Sequence, residues 1–333
     1  MIPAAKKDAV TRALLGSFGI SGFEDIRIMT AGLSPALVFR IVVKGRPYLL
    51  RIVTDTDSTA GPGRGDQTHH FGCMKLAAEA QIGPRVWYTN NEDRVSITDF
   101  IEARPFPRTE ALDRLPATIR TLHALPPFPS SRVMNYFDAM DGFVRRFEAA
   151  KILPDEFFDG YRCVVSVYPR EDSDWVSSHN DLKPENILFD GDRVWLVDWE
   201  AGFRNDRYLD LAVVANFVVT NDAEAYSYLR TYFGATPSEY QLARLYLMQQ
   251  LLHVFYPAVV MLVGLKGKPV PSTEEVLDFR DFHDRIWAGE VSLATDEAKL
   301  LYAQLHVNQI LQNMRTARFE DALRIVSVAS GRG

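Results

Sequence analysis

Four polar side chains crowd one short stretch, "HNDLKPENILFDGDRVWLVDWEAG" from His179 to Gly202: His179, Asp181, Asn186 and Asp198. A carboxylate set beside amide and carboxylate oxygens suits phosphoryl transfer. That reaction needs a carboxylate to orient an attacking hydroxyl and receive its proton, together with oxygen ligands for Mg²⁺ beside the phosphates. Asp181 is the candidate base, and Asn186 and Asp198, twelve residues apart, are the candidate metal ligands. His179 is expected to brace the loop by hydrogen bonding.

A hairpin could bring Asn186 and Asp198 together. The apolar runs Ile187-Leu188-Phe189 and Val194-Trp195-Leu196-Val197 flank Asp190-Gly191-Asp192, a turn composition, and predict paired strands with the polar residues at their ends. Alternation would send Trp195 into a core. Upstream, "EDIRIMTAG", "LVFRIVV", "PYLLRIVT", "RVWYTN" and "RVSITDFIE" read as short strands, interrupted by one helix from about Asp66 to Gln81. An amphipathic helix is expected before them. Beyond Glu102 the pattern turns helical: Glu110 to Leu125, Tyr136 to Ala150, Asp155 to Tyr168, then several long helices between Asp210 and Ser330. The predicted fold is α+β, with a small β-rich lobe (1–102) and a large helical lobe (103–333), and the hairpin is the only β signal in the second.

Composition narrows the partners. A net charge of −6 and a pI near 5.7 argue against a general nucleic-acid binder. Two cysteines, Cys73 and Cys163, lie far apart without metal-type spacing, which fits a reducing, cytoplasmic setting. The stretch Leu251 to Leu265 contains His253 and Pro257 and falls short of the roughly 18 to 20 residues of a spanning helix, so it reads as buried and no membrane partner is expected. The sequence carries no signal for oligomeric state.

The chain resembles the aminoglycoside phosphotransferase and choline/ethanolamine kinase family, a cousin of the protein kinases. The resemblance rests on "HNDLKPENIL", on "VDWE" followed by "DRYLDLA", on "IRTLHALP" and on "AGLSPALVFRI", and extends from about Ala31 to Ala215. It implies a two-lobed kinase-like fold and an ATP- and Mg²⁺-dependent kinase acting on a small-molecule hydroxyl. Asp198-Trp199-Glu200 replaces the Asp-Phe-Gly of protein kinases, and no Ala-Pro-Glu segment follows. In this frame Gly32 and Ser34 would bring backbone N–H groups over the phosphates. Arg51 would clamp the α- and β-phosphates, a task to which its fork is suited. Ile101, in the hinge, would read the adenine edge through its backbone, which leaves ATP and GTP undistinguished. The family's helix glutamate that orients the clamp is replaced by His69 or His70, with Asp66 or Glu79 as alternatives in another register. Asp210 would fix the catalytic loop, and His123 would be a packed or capping histidine. For the acceptor, the Asp-Trp-Glu form suggests a choline- or ethanolamine-type amino alcohol, with Trp199, Glu200 and Tyr208 as candidate contacts and Phe203 and Tyr256 as further aromatic surface. Aminoglycosides, sugars and thiamine are alternative acceptors, and a catalytically silent nucleotide-binding regulator is an alternative from another class.

Overall fold

The computed structural model describes residues 2–29, 36–54, 67–128, 136–151, 153–170, 174–260, 278–329 and 331. Gly32, Ser34 and Asp66 lie outside the described residues. Helix α1 (Lys7–Phe18) buries Ala9, Val10, Ala13 and Leu14, spaced to line one face, and ends where Gly19 turns left-handed at φ 72°. That face packs on an antiparallel sheet of five strands, β1 (Asp25–Met29), β2 (Leu37–Val43), β3 (Arg46–Ile52), β4 (Val86–Asn90) and β5 (Val95–Asp99), in the order β1-β2-β3-β5-β4. Phe39, Ile41 and Val43 alternate toward the core, as do Tyr48, Leu50 and Ile52 in the paired strand. The β2–β3 hairpin closes on Lys44 and Gly45, both with positive φ (49° and 71°), the geometry that matches the twist of paired strands. Alternation also turns Arg51 away from this core.

Helix α2 (Gln67–Glu79) connects β3 to β4. Its buried residues Phe71, Cys73, Met74 and Ala77 belong to the core of the large lobe. Leu196 N–H reaches across to the Ile82 carbonyl at 2.7 Å, so the end of α2 is tied to the region of the predicted hairpin.

The large lobe holds α3 (Arg108–His123), α4 (Tyr136–Ala150), α5 (Asp155–Val167), β6 (Trp175–Ser178), β7 (Ile187–Phe189), β8 (Val194–Leu196), β9 (Phe203–Asp206), α6 (Arg207–Val218), α7 (Asp222–Phe233), α8 (Glu239–Val259), α9 (Phe279–Trp287), α10 (Asp296–Asn313) and α11 (Ala317–Ala329). The two-lobed α+β arrangement agrees with the expectation. The hairpin β7–β8 forms as read, but β6 and β9 add a second two-stranded sheet that the sequence did not announce. Trp195 also departs from its reading. Val194 and Leu196 are the buried pair, while Trp195 faces outward, donates to Asp190 Oδ2 at 2.8 Å and lies under the Arg193 guanidinium.

Helix α8 runs through the middle of this lobe against α5, α6, α10 and α11. A reciprocal Ser238–Gln241 capping box starts it, and Pro257 sits in its last turn. The Arg244 guanidinium on α8, buried between the rings of Tyr168 and Tyr208, pairs with Asp206 at 2.7 Å and Asp174 at 3.0 Å and thereby anchors the end of β9. Removing one partner of such a buried pair typically costs about 3 to 5 kcal/mol. Among the described residues, no helix is long and apolar enough to cross a membrane.

Candidate active site

Three short elements converge on the site. Strand β6 ends at Ser178 and hands the chain directly to His179. Asn180 follows in the left-handed region at φ 63°, a conformation asparagine tolerates. Its amide donates to the carbonyls of Ala201 (2.8 Å) and Phe203 (3.2 Å) and accepts from Asn205 Nδ2 (2.8 Å), which joins the loop to the start of β9. From α6, the fully buried Asp210 carboxylate accepts the backbone N–H groups of His179 (2.8 Å) and Asn180 (2.7 Å), along with His123 Nε2 (3.1 Å). His123 in turn takes the Tyr232 hydroxyl at 2.7 Å. The expected loop-fixing role of Asp210 and packed role of His123 are thus seen as one chain of hydrogen bonds. Each buried donor left unpaired without Asp210 would cost about 1 to 3 kcal/mol.

His179 Nε2 donates to the Val197 carbonyl at 2.9 Å, so it braces the loop against the residue preceding Asp198. The loop then turns through a 3-10 segment, Pro184–Asn186. Asn186 Nδ2 donates to the backbone carbonyl of Asp181 (2.8 Å) and to its Oδ2 (3.0 Å), and Lys183 Nζ pairs with the same Oδ2 at 2.9 Å. Burial works against the charge of Lys183, yet the Asp181 carboxylate outweighs it and raises the ammonium pKa. Val197 N–H donates to the Asn186 carbonyl at 3.0 Å, which brings Asp198 alongside Asn186 as the hairpin reading anticipated. Asp198 itself is left-handed at φ 66°, an uncommon conformation that the short polar side chains of Asp and Asn adopt more readily than most. Such a conformation persists where the surroundings fix a side chain's direction.

Arg51 meets this group from the small lobe. Its side chain is only 11% exposed, donates to Gln67 Oε1 at 3.1 Å and forms an ion pair with Glu200, which is 42% exposed. Burial lowers the guanidinium pKa, while the charge of Asp198 opposes that shift. Ile101 lies half-buried in the linker after β5, between Phe100, which lies under the Arg40 guanidinium, and Glu102, paired with Arg40 at 3.3 Å. Arg104 N–H docks the linker on the Phe189 carbonyl at 2.6 Å.

Two acceptor candidates are corrected by burial. Trp199 is 1% exposed, its ring 4.6 Å from His179 and 5.9 Å from Phe128, so it supports the loop and presents no face to a solute. Tyr208 is 2% exposed and packs 4.6 Å beneath Arg244. Glu200 points to Arg51.

Tyr256 and Tyr302 are the tyrosines within electrostatic reach of the base instead. Burial lifts the Tyr256 phenol pKa, and the carboxylates of Asp181, Asp210 and Glu185 add to the lift. The same burial, with Glu185 and Asp181, lifts Tyr302. Tyr256 is half-buried in the last turn of α8, its ring 5.3 Å from Tyr302 and 4.9 Å from His306. Behind this wall His253 Nδ1 meets His306 Nδ1 at 2.8 Å, a contact in which one ring must accept and is therefore neutral. Burial agrees, pushing the His253 pKa down to about 3. Tyr256 was one of the aromatic residues available from the sequence. Tyr302, on α10, carried no local signal.

Known proteins share this architecture. The chain is 36% identical over 69 residues to Protein LicA of Haemophilus influenzae, a match spanning 20% of this chain and only 26% of that protein's length. The crystal structure of a choline/ethanolamine kinase family protein from Mesorhizobium loti superposes with a TM-score of 0.67 at 20% identity, covering 97% of this chain and 99% of that one. The streptomycin–ATP ternary complex of APH(2")-IIa superposes with a TM-score of 0.57 at 16% identity, covering 79% and 95%. The sequence model of the phosphotransferase enzyme family matches residues 25–246, which takes in β1 through the first two turns of α8 and with them Arg51, the His179–Asn186 loop and the β7–β8 hairpin. The chain therefore belongs to the phosphotransferase enzyme family.

Proposed function

We propose that the protein is an ATP- and Mg²⁺-dependent kinase that phosphorylates the hydroxyl of a compact cationic alcohol of the choline or ethanolamine type. The observation that carries this reading is the convergence of Asp181, Asn186 and Asp198, opposite the buried Arg51, through the His179–Val197 and Asn186–Val197 hydrogen bonds. Asp181 holds the acceptor hydroxyl and takes its proton as the oxygen attacks the γ-phosphorus. The bond from that phosphorus to the β,γ-bridging oxygen breaks and ADP leaves. Lys183, held protonated beside Asp181, lies ready to balance charge on the transferring group.

The donor set fits Mg²⁺. Asn186 uses its Nδ2 for both of its side-chain hydrogen bonds, which directs Oδ1 elsewhere, and Asp198 supplies an anionic oxygen. Among the described residues, no group of three or more His, Cys, Asp or Glu is arranged to hold a metal ion by itself. An ion held by one carboxylate, one amide and nucleotide phosphates is the usual arrangement for Mg²⁺, which takes few protein ligands. When bound, it would neutralise charge on the β- and γ-phosphates. An ATP complex within a similar fold supports ATP as donor.

For the acceptor, Tyr256 offers a partly exposed ring in the last turn of α8 on which the charges of Asp181 and Glu185 act, a pairing that suits an alkylammonium group. The likeness to a choline/ethanolamine kinase family structure over 97% of the chain supports the same class. A ring–ammonium contact is worth about 0.5 to 2 kcal/mol. Tyr256→Ala should therefore raise KM for choline by about 2- to 30-fold, leave KM for ATP unchanged and spare the neutral isostere 3,3-dimethylbutanol. Steady-state kinetics on the three substrates measures this. Equal effects on choline and the isostere, or turnover of kanamycin in place of choline, would refute the assignment.

A further inference from the structure

Arg51 is a cation in a confined place. It projects from β3, away from the small-lobe core, with its side chain 11% exposed, and burial disfavours its charge. A guanidinium so placed keeps a defined direction only if anionic or amide oxygens hold its fork. Helix α2 contributes Gln67 Oε1 at 3.1 Å. The one glutamate of α2, Glu79, lies at the opposite end of the helix and is exposed. Among the described residues, the carboxylate on Arg51 is that of Glu200, 149 residues along the chain, in the 3-10 turn Trp199–Ala201.

That turn makes three connections at once. It follows Asp198, it sends Glu200 to Arg51, and it ends at Gly202, whose carbonyl accepts from the His69 ring and from Cys73 Sγ (3.6 Å) on α2. The space around Gly202 is tight. A Cβ there would lie 3.2 Å from the Trp199 carbonyl oxygen and 3.3 Å from Cys73 Sγ. Thus β3, α2 and the stretch bearing Asp198 are held in one register.

We propose that Glu200 is a positioning residue for Arg51, presenting the guanidinium fork to nucleotide phosphates and coupling that clamp to Asp198 through their shared turn. The proposal rests on the kinase reading above, in which Arg51 meets the phosphates. Glu200 acts through Arg51; it is not the acceptor contact and does not act on the metal.

A double-mutant cycle tests this. KM for ATP, kcat and the Mg²⁺ concentration for half-maximal rate are measured for the wild type, Glu200→Gln, Arg51→Gln and the double variant, with Glu200→Asp as the conservative control. Glu200→Gln should raise KM for ATP about tenfold with little change in kcat and an unchanged Mg²⁺ requirement. Glu200→Asp should recover part of the loss. The double variant should be no worse than Arg51→Gln alone, because the carboxylate then has nothing to position. Additive losses, or a shifted Mg²⁺ requirement in Glu200→Gln that persists in the Arg51→Gln background, would overturn the proposal. The same cycle is read in parallel as affinity for a non-hydrolysable ATP analogue by calorimetry. Failure of the wild type to phosphorylate any acceptor would count against the kinase reading alone, and the calorimetric cycle would still decide the role of Glu200.

Discussion

Asp181→Asn is expected to lower kcat by about 10²- to 10⁴-fold while nucleotide affinity stays within a small factor of the wild type. The substitution keeps the shape of the side chain and the length of the loop, and removes the carboxylate charge and with it the capacity to take a proton. Loss of a positioned general base has that magnitude. Nucleotide binding should persist because Asp181 faces Lys183 and Asn186, and the phosphate clamp is built from Arg51 on another strand. Rapid-quench kinetics with titration of an ATP analogue separates the two effects. A variant retaining more than a third of wild-type kcat would remove Asp181 from the reaction.

Asp198→Ala should weaken Mg-ATP binding and turnover together, since it deletes the anionic ligand that brings ion and phosphates to the site. Two effects are mixed in that substitution. Alanine at φ 66° also carries the left-handed strain of about 1 to 2 kcal/mol. Asp198→Asn separates them, because asparagine accepts the backbone geometry and lacks the charge. Both variants should show a Mg²⁺ requirement raised by about tenfold or more, and the alanine variant alone should also lose thermal stability. An unchanged metal dependence of ATP affinity in Asp198→Asn would exclude Asp198 as a ligand.

The site was legible in the sequence where its parts are local. His179, Asp181, Asn186 and Asp198 fall within one stretch whose hairpin follows from two apolar runs and a turn, and the structure brings them together by short-range hydrogen bonds. Asp210 was legible through the resemblance carried by "DRYLDLA", and the structure gives the physical reason: it lies in the first turn of a helix, where its carboxylate collects backbone N–H groups from the neighbouring loop. The failures have physical causes too. Strands β6 and β9 are four residues each, and their pairing partner lies across the entire hairpin, so neither had local support. Trp199 and Glu200 follow a left-handed residue and occupy a 3-10 turn, where strand alternation no longer tells which way a side chain points. Trp195 turned outward because its indole N–H found Asp190 at the hairpin turn while the smaller Val194 and Leu196 filled the core. Tyr302 packs against Tyr256 from α10, and no pattern within a helix reports such a distant neighbour.

The most direct measurement is the transfer itself. ATP labelled at the γ-phosphate is incubated with Mg²⁺, the full-length protein and each of a set of amino alcohols, sugars, thiamine and aminoglycosides, and the products are separated. A small-molecule kinase should move the label to one of these alcohols with an equal amount of ADP formed, and the Asp181→Asn protein should do so about 10²- to 10⁴-fold more slowly. Nucleotide that binds with Mg²⁺ while its label never leaves ATP for any hydroxyl would contradict catalysis and identify a nucleotide-binding regulator.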